Sequence, residues 1–190
     1  MMNFKIWSEI IPDKGEDAPP TFLAMESTAG VIAVYDGLGG AGSKTYSLDL
    51  KNGNKGTFSG AYLAARLAKK TLEHYFESNF PLPLDALALE SQLKTSFRDF
   101  EAKLPENPSK LRSKLIKSLP TTLAGIYYDT RSADSLFSLQ AFWAGDSRCY
   151  LLNHQGLQQL SSDDLKGQPD ALENLEEDAT ISNCLEAKGN

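Results

Sequence analysis

The run Gly30-Val31-Ile32-Ala33-Val34-Tyr35, closed by Asp36 and then by Gly37, Gly39 and Gly40, constrains this chain more than any other stretch. It is short, apolar, rich in β-branched residues and bounded by glycine, so it reads as a buried strand. Asp36 then falls where the strand stops, with its carboxylate projecting off the sheet edge. The glycines let the backbone turn sharply and bring peptide groups close to a ligand. Taken alone, the stretch reads equally well as an ordinary Asp-Gly turn. Its surroundings decide.

Upstream, residues 3–10 alternate well enough to predict a strand, followed by a loop over Pro12 to Gly15 that leads into the adjacent acids Glu16 and Asp17. Thr21 to Glu26 reads as a second strand, and Ser27 to Gly30 as a turn into the strand that ends at Asp36. The opening is then three strands whose acids converge at one end of a sheet. Ser43 to Lys55 is polar and Gly- and Asn-rich, and reads as a surface loop.

From Thr57 the period changes. Phe58, Ala61, Ala65, Ala68, Leu72 and Tyr75 step by three and four, which predicts a helix ended by Pro81 and Pro83. Ala86, Leu89, Leu93, Phe97, Phe100 and Leu104 repeat the pattern, with Asp85 as the N-cap. Two such helices in succession should pack antiparallel against one face of the sheet. Lys110, Arg112, Lys114 and Lys117 give a short helix a basic outer face, read as a solvated face rather than a phosphopeptide dock.

From Thr121 the period falls to two. Thr121 to Tyr128 reads as a central strand, Phe137 to Trp143 as a half-buried one, and Arg148 to Leu152 and Leu157 to Leu160 as the rest of an antiparallel meander. Between them lies the turn Ala144-Gly145-Asp146-Ser147. Thr121 and Thr122 read as structural strand residues. Beyond Ser161 the chain is acidic and weakly patterned.

Composition narrows the function. A length of 190 residues fits one domain spanning 1–190. The net charge of −6 and pI near 5.0 argue against nucleic acid or an anionic membrane as the main partner. No apolar stretch approaches the roughly 20 residues that span a bilayer. Two well-separated cysteines, Cys149 and Cys184, point to a reducing compartment, hence the cytoplasm, and read as buried small hydrophobes. With only His74 and His154 besides, a bound metal must rely on oxygen ligands.

At this point the chain resembles the metal-dependent type 2C protein serine/threonine phosphatases, in their bacterial form. The matching pieces are Gly15-Glu16-Asp17-Ala18, Val34 to Gly40, Leu119-Pro120-Thr121-Thr122-Leu123-Ala124, and Ala144 to Leu152 followed by Leu160-Ser161-Ser162-Asp163-Asp164. Their order and approximate spacing match as well. The resemblance implies an α/β sandwich, two antiparallel sheets face to face with helices outside, here incomplete at the C-terminus. It implies hydrolysis of phosphoserine and phosphothreonine in a phosphorylated protein substrate. Two or more Mg²⁺ or Mn²⁺ ions would serve it, about 3.5–4 Å apart, acidifying a water and clamping the transition state.

In that resemblance Asp36 bridges two ions, Gly37 gives its backbone carbonyl to one, and Glu16 and Asp17 orient metal-bound water. Asp146 matches the position of an additional, weaker metal. Two bland readings stay open: Asp146-Ser147-Arg148 as a hairpin turn with a local ion pair, and Glu16-Asp17 as a solvated loop.

Three departures stand out. The family's phosphate-holding arginine before the Glu-Asp pair is missing, with Lys14 or Lys44 as point-charge substitutes. Leu38 stands where eukaryotic members often carry a histidine. After Asp178 there is no aspartate, although the family places two further ligands late. The expectation is a fragment of a longer phosphatase, and the alternative a non-catalytic phosphatase-like module that binds or regulates a partner protein. A phosphate-cradling nucleotide loop at Gly37 to Gly40 is disfavoured, since no Lys-Ser/Thr pair follows at the required spacing.

Overall fold

The computed structural model describes residues 7–9, 15–26, 28–50, 53–105, 117–131, 138–164 and 183–187. They form an α+β arrangement of antiparallel strands and two helices. Strands β1 (Ala18–Met25), β2 (Ala29–Tyr35), β5 (Leu123–Asp129) and β6 (Ser138–Ala144) make a four-stranded sheet in the order β1-β2-β5-β6. Two hairpins stand apart from it as separate two-stranded sheets: β3 (Thr45–Asp49) with β4 (Lys55–Ser59), and β7 (Tyr150–Asn153) with β8 (Gly156–Gln159).

Helices α1 (Gly60–Asn79) and α2 (Ala86–Glu101) cover one face of the large sheet. α1 buries the stripe Ala61, Ala64, Ala65, Ala68, Leu72, Tyr75 and Phe76, and α2 buries Leu89, Leu93 and Phe97. Ala29, Val31, Ala33 and Tyr35 of β2 meet them from the sheet. Burying one such large apolar side chain is worth roughly 1.5–3 kcal/mol, so these stripes, not local propensity, hold the helices. Asp85 caps α2 by accepting the Ala88 N–H at 3.0 Å, as its place before the apolar period predicts. The Tyr75 hydroxyl ties the two helices, donating to the Asp85 carbonyl at 3.0 Å and accepting its N–H at 3.1 Å.

Several expectations are corrected. The supposed surface loop at 43–55 is a hairpin: Tyr46 is buried, and the turn runs through Gly53 at φ +80°. Asn52-Gly53 between alternating residues is the hairpin signal that the polar composition hid. Phe58 consequently belongs to β4, and α1 starts only after its cap Ser59. β1 begins earlier than Thr21 and runs through Pro19 and Pro20, with a register shift between Ala18 and Thr21. An edge strand tolerates prolines there because their missing N–H groups leave no ladder bond unmade.

The meander is broken as well, because β7–β8 does not join β6. In β6 the helix-facing residues are Phe142 and Ala144, whereas Trp143 stays 36% exposed on the other face. The alternation of Leu139, Ala141 and Trp143 against Ser138 and Gln140 points to the other face, and packing overrides it because Phe142 and Ala144 follow on the side of the polar pair. Of the strand expected over 3–10, only Trp7 to Glu9 are described, and they are not in a strand. The basic helix expected after residue 109 lies outside the described residues apart from Lys117, which is not helical. Among the described residues no helix is long and apolar enough to cross a membrane.

Candidate metal centre

The strand pairing gathers the acids. Ala18 pairs with Tyr35, so Glu16-Asp17, just before β1, stands beside Asp36, just after β2. Leu123 pairs with Ala144, which puts Asp146, two residues beyond β6, at the same end of the sheet. That end is closed by the segment entering β5. The Thr122 N–H donates to the Asp36 carbonyl at 2.8 Å and the Thr121 hydroxyl donates to the same oxygen at 2.7 Å. Gly37 forms an isolated bridge with Thr121, and the Leu38 N–H reaches the Pro120 carbonyl at 3.2 Å. Asp36 therefore has its backbone pinned while its side chain is exposed to solvent.

Gly37 is required by the space it occupies. A Cβ there would stand 2.7 Å from the Glu16 Cβ and carbonyl oxygen and 2.8 Å from the Ala61 carbonyl oxygen. With no side chain at 37, the acidic loop lies directly against the Asp36-Gly37 peptide.

The carboxylates feel one another. The Asp36 carboxyl is raised from the usual 3.8 to about 6, first by loss of solvent, then by a hydrogen bond shared with Asp17 and the charges of Asp17 and Asp146. Asp36 presents an exposed edge, so the loss of solvent is partial. The crowding by two acids is what bears on chemistry: a cation placed there would remove it.

The donor set is carboxylate and carbonyl oxygen, which suits a hard divalent cation. Among the described residues, however, no three His, Cys, Asp or Glu side chains form a group that could hold a metal ion alone. Mg²⁺ commonly keeps several waters and takes only one or two protein carboxylates, so Asp36 and the Gly37 carbonyl, with Asp17 beside them to receive a bound water, fit such an ion and not a dry cage. Among the described residues the late acid Glu186 pairs with Lys117 at 3.3 Å.

Neither bland reading describes the surroundings in full. Glu16 is half-buried and accepts a hydrogen bond from the Ser59 hydroxyl, while Arg66 donates to its backbone carbonyl at 3.3 Å. Arg148 forks onto the nearly fully buried carboxylate of Asp163. Asp164 clamps the Asp146 turn, accepting the Gly145 N–H at 3.0 Å and donating its own N–H to the Gly145 carbonyl at 3.0 Å. Thr121, Thr122, Ser59, Arg66, Asp163 and Asp164 are the residues sequence reasoning passed over as site residues. The only available signals were the N-cap position of Ser59 and the matched Thr-Thr and Asp-Asp pieces.

Lys14 lies outside the described residues, and Lys44 sits 5.1 Å over the ring of Tyr46. Both cysteines are free and buried, which holds the Cys149 thiol up at about 11 and disqualifies it as a nucleophile at neutral pH. A groove of about 610 Å³ between α2 and β6 includes none of Glu16, Asp17, Asp36 or Asp146 in its walls. No protein-family model matches this chain, and no curated protein matches it.

Proposed function

We propose that this chain belongs to a Mg²⁺- or Mn²⁺-dependent protein phosphatase acting on phosphoserine and phosphothreonine in the cytoplasm. The observation that carries the reading is the convergence of Asp36, Asp17 and Asp146 at one sheet end, with the Asp36 carboxyl raised by loss of solvent and then by the two neighbouring acids. The resemblance in motif order supplies the reaction. Divalent cations bound there would supply an acidified water and positive charge at the phosphoryl oxygens.

The roles of the chain's own groups follow from their placement. Asp36 offers the central carboxylate, fixed at its backbone by Thr121 and Thr122. The Gly37 carbonyl is the neutral oxygen beside it. Asp17, beside Asp36, and Glu16 would accept hydrogen bonds from entering water and set its direction. Asp146, at the same sheet end, would help hold a further, weaker cation.

The sandwich reading draws support from the sheet face opposite the helices. Phe22 pairs with Ile32, Ile32 with Ile126, and Val34 with Ala124, whose partner on β6 is Trp143. Phe22, Val34 and Trp143 are 40%, 47% and 36% exposed, an apolar face suited to another layer.

The second reading is a non-catalytic module that binds a phosphoprotein. It takes up the departure at the start of the chain, where the phosphate-holding arginine before Glu16-Asp17 is missing. Hydrolysis of an aryl phosphate and of a phosphothreonine peptide, assayed with Mn²⁺, separates the two. Turnover lost with chelator and in Asp36→Asn supports the phosphatase. Folded protein that binds the peptide without any cation-dependent turnover supports the module and removes the enzyme.

A further inference from the structure

We propose that Ser59 and Arg66 are positioning residues for the cation centre, acting through Glu16; the inference rests on the phosphatase reading of that centre. Ser59 ends β4 and caps α1, accepting the Tyr62 N–H at 3.0 Å. Capping uses only a lone pair of the hydroxyl. Its proton is therefore spare, and it goes to Oε2 of Glu16, 43 positions earlier in the chain.

Arg66 holds the other end of the same residue. Its Nη1 donates to the Glu16 carbonyl at 3.3 Å and to the Tyr62 carbonyl at 3.2 Å. Its guanidinium lies 3.2 Å from the centroid of the Tyr62 ring, and that ring stacks on Phe58 with centroids 5.1 Å apart. Positions 59, 62 and 66 share one side of the helix start, by their spacing of three and four. Glu16 is thus gripped at carboxylate and carbonyl by one rigid element.

The grip matters because of what lies beyond it. Glu16 abuts Gly37, and the next residue, Asp17, stands beside Asp36 through the Ala18–Tyr35 pairing. Releasing Glu16 lets Asp17 shift against Asp36, and outer residues of this kind change metal affinity by about 10–100-fold. α1, tied to the acids through Ser59 and Arg66, is then the strut of the centre.

The test measures Mn²⁺ binding to the full chain by calorimetry, with melting temperature alongside. Ser59→Gly removes the hydroxyl while costing the cap little. It should keep the fold and weaken Mn²⁺ by about tenfold or more. Ser59→Thr restores the hydroxyl and should bind within about twofold of the native protein. Arg66→Lys keeps the charge without the planar stack, so it should also weaken Mn²⁺. A folded Ser59→Gly variant with native affinity, while Asp36→Asn loses binding, overturns this inference alone. Native protein that takes up no Mn²⁺ overturns the reading of the centre and this inference with it.

Discussion

The hydroxyl of Thr121 donates to the carbonyl oxygen of Asp36 at 2.7 Å, across 85 positions of chain. Thr121 is fully buried, and the Thr122 N–H reaches the same oxygen. The loop that carries the central carboxylate is therefore hung from the segment that enters β5. Thr121→Val keeps the shape and removes the donor. It should lose about 1–2 kcal/mol of stability by denaturant unfolding and weaken Mn²⁺ in calorimetry, with the strands retained in circular dichroism.

Gly37 and Gly40 make a contrasting pair. A Cβ at 37 meets Glu16 and Ala61 at 2.7–2.8 Å, whereas one at 40 meets nothing within 4 Å. Gly37→Ala should destabilise the protein by about 1–3 kcal/mol as the acidic loop is pushed away. Gly40→Ala should change stability by no more than about 0.5 kcal/mol. Thermal melts of the two variants side by side decide the matter, and equal melts would contradict the close approach.

Asp36 without a cation is a charge in an unfavourable place. Its carboxyl is raised to about 6, so at pH 7 the ionised form works against folding. Asp36→Asn should therefore melt at or above the native temperature in chelator. Mn²⁺ should raise the melting temperature of the native protein and leave that of the variant where it was.

The opposite sign applies at the far end of the sheet. Arg131 donates from Nε to Asp129 Oδ1 at 2.9 Å and from Nη2 to Oδ2 at 2.6 Å. Those bonds hold the Asp129 carboxyl down at about 2, below its ordinary 3.8. A lowered carboxyl contributes stability that is present above about pH 4 and lost as pH falls towards 2. After solvent screening the contribution is about 1 kcal/mol. Arg131→Met should flatten that part of the acid-unfolding curve and leave stability at pH 7 lower by a similar amount.

What the sequence determined by itself is local. The apolar period fixed α1 and α2, Asp85 announced its cap, and the β-branched run ending at Asp36 was a strand ending there. Those features depend on neighbours a few positions apart, and the order of residues records them directly. The hairpin over Thr45 to Ser59 was legible in Asn52-Gly53 and was obscured by polar composition. Tertiary structure decided which distant groups meet. The Ala18–Tyr35 and Leu123–Ala144 registers set Asp17 and Asp146 around Asp36, and the packing of Phe142 under α1 and α2 turned β6 against the face its alternation suggested. The grip of Ser59 and Arg66 on Glu16 joins positions 43 and 50 apart. Contacts of that kind arise from sheet register and helix docking, and no periodicity along the chain encodes them.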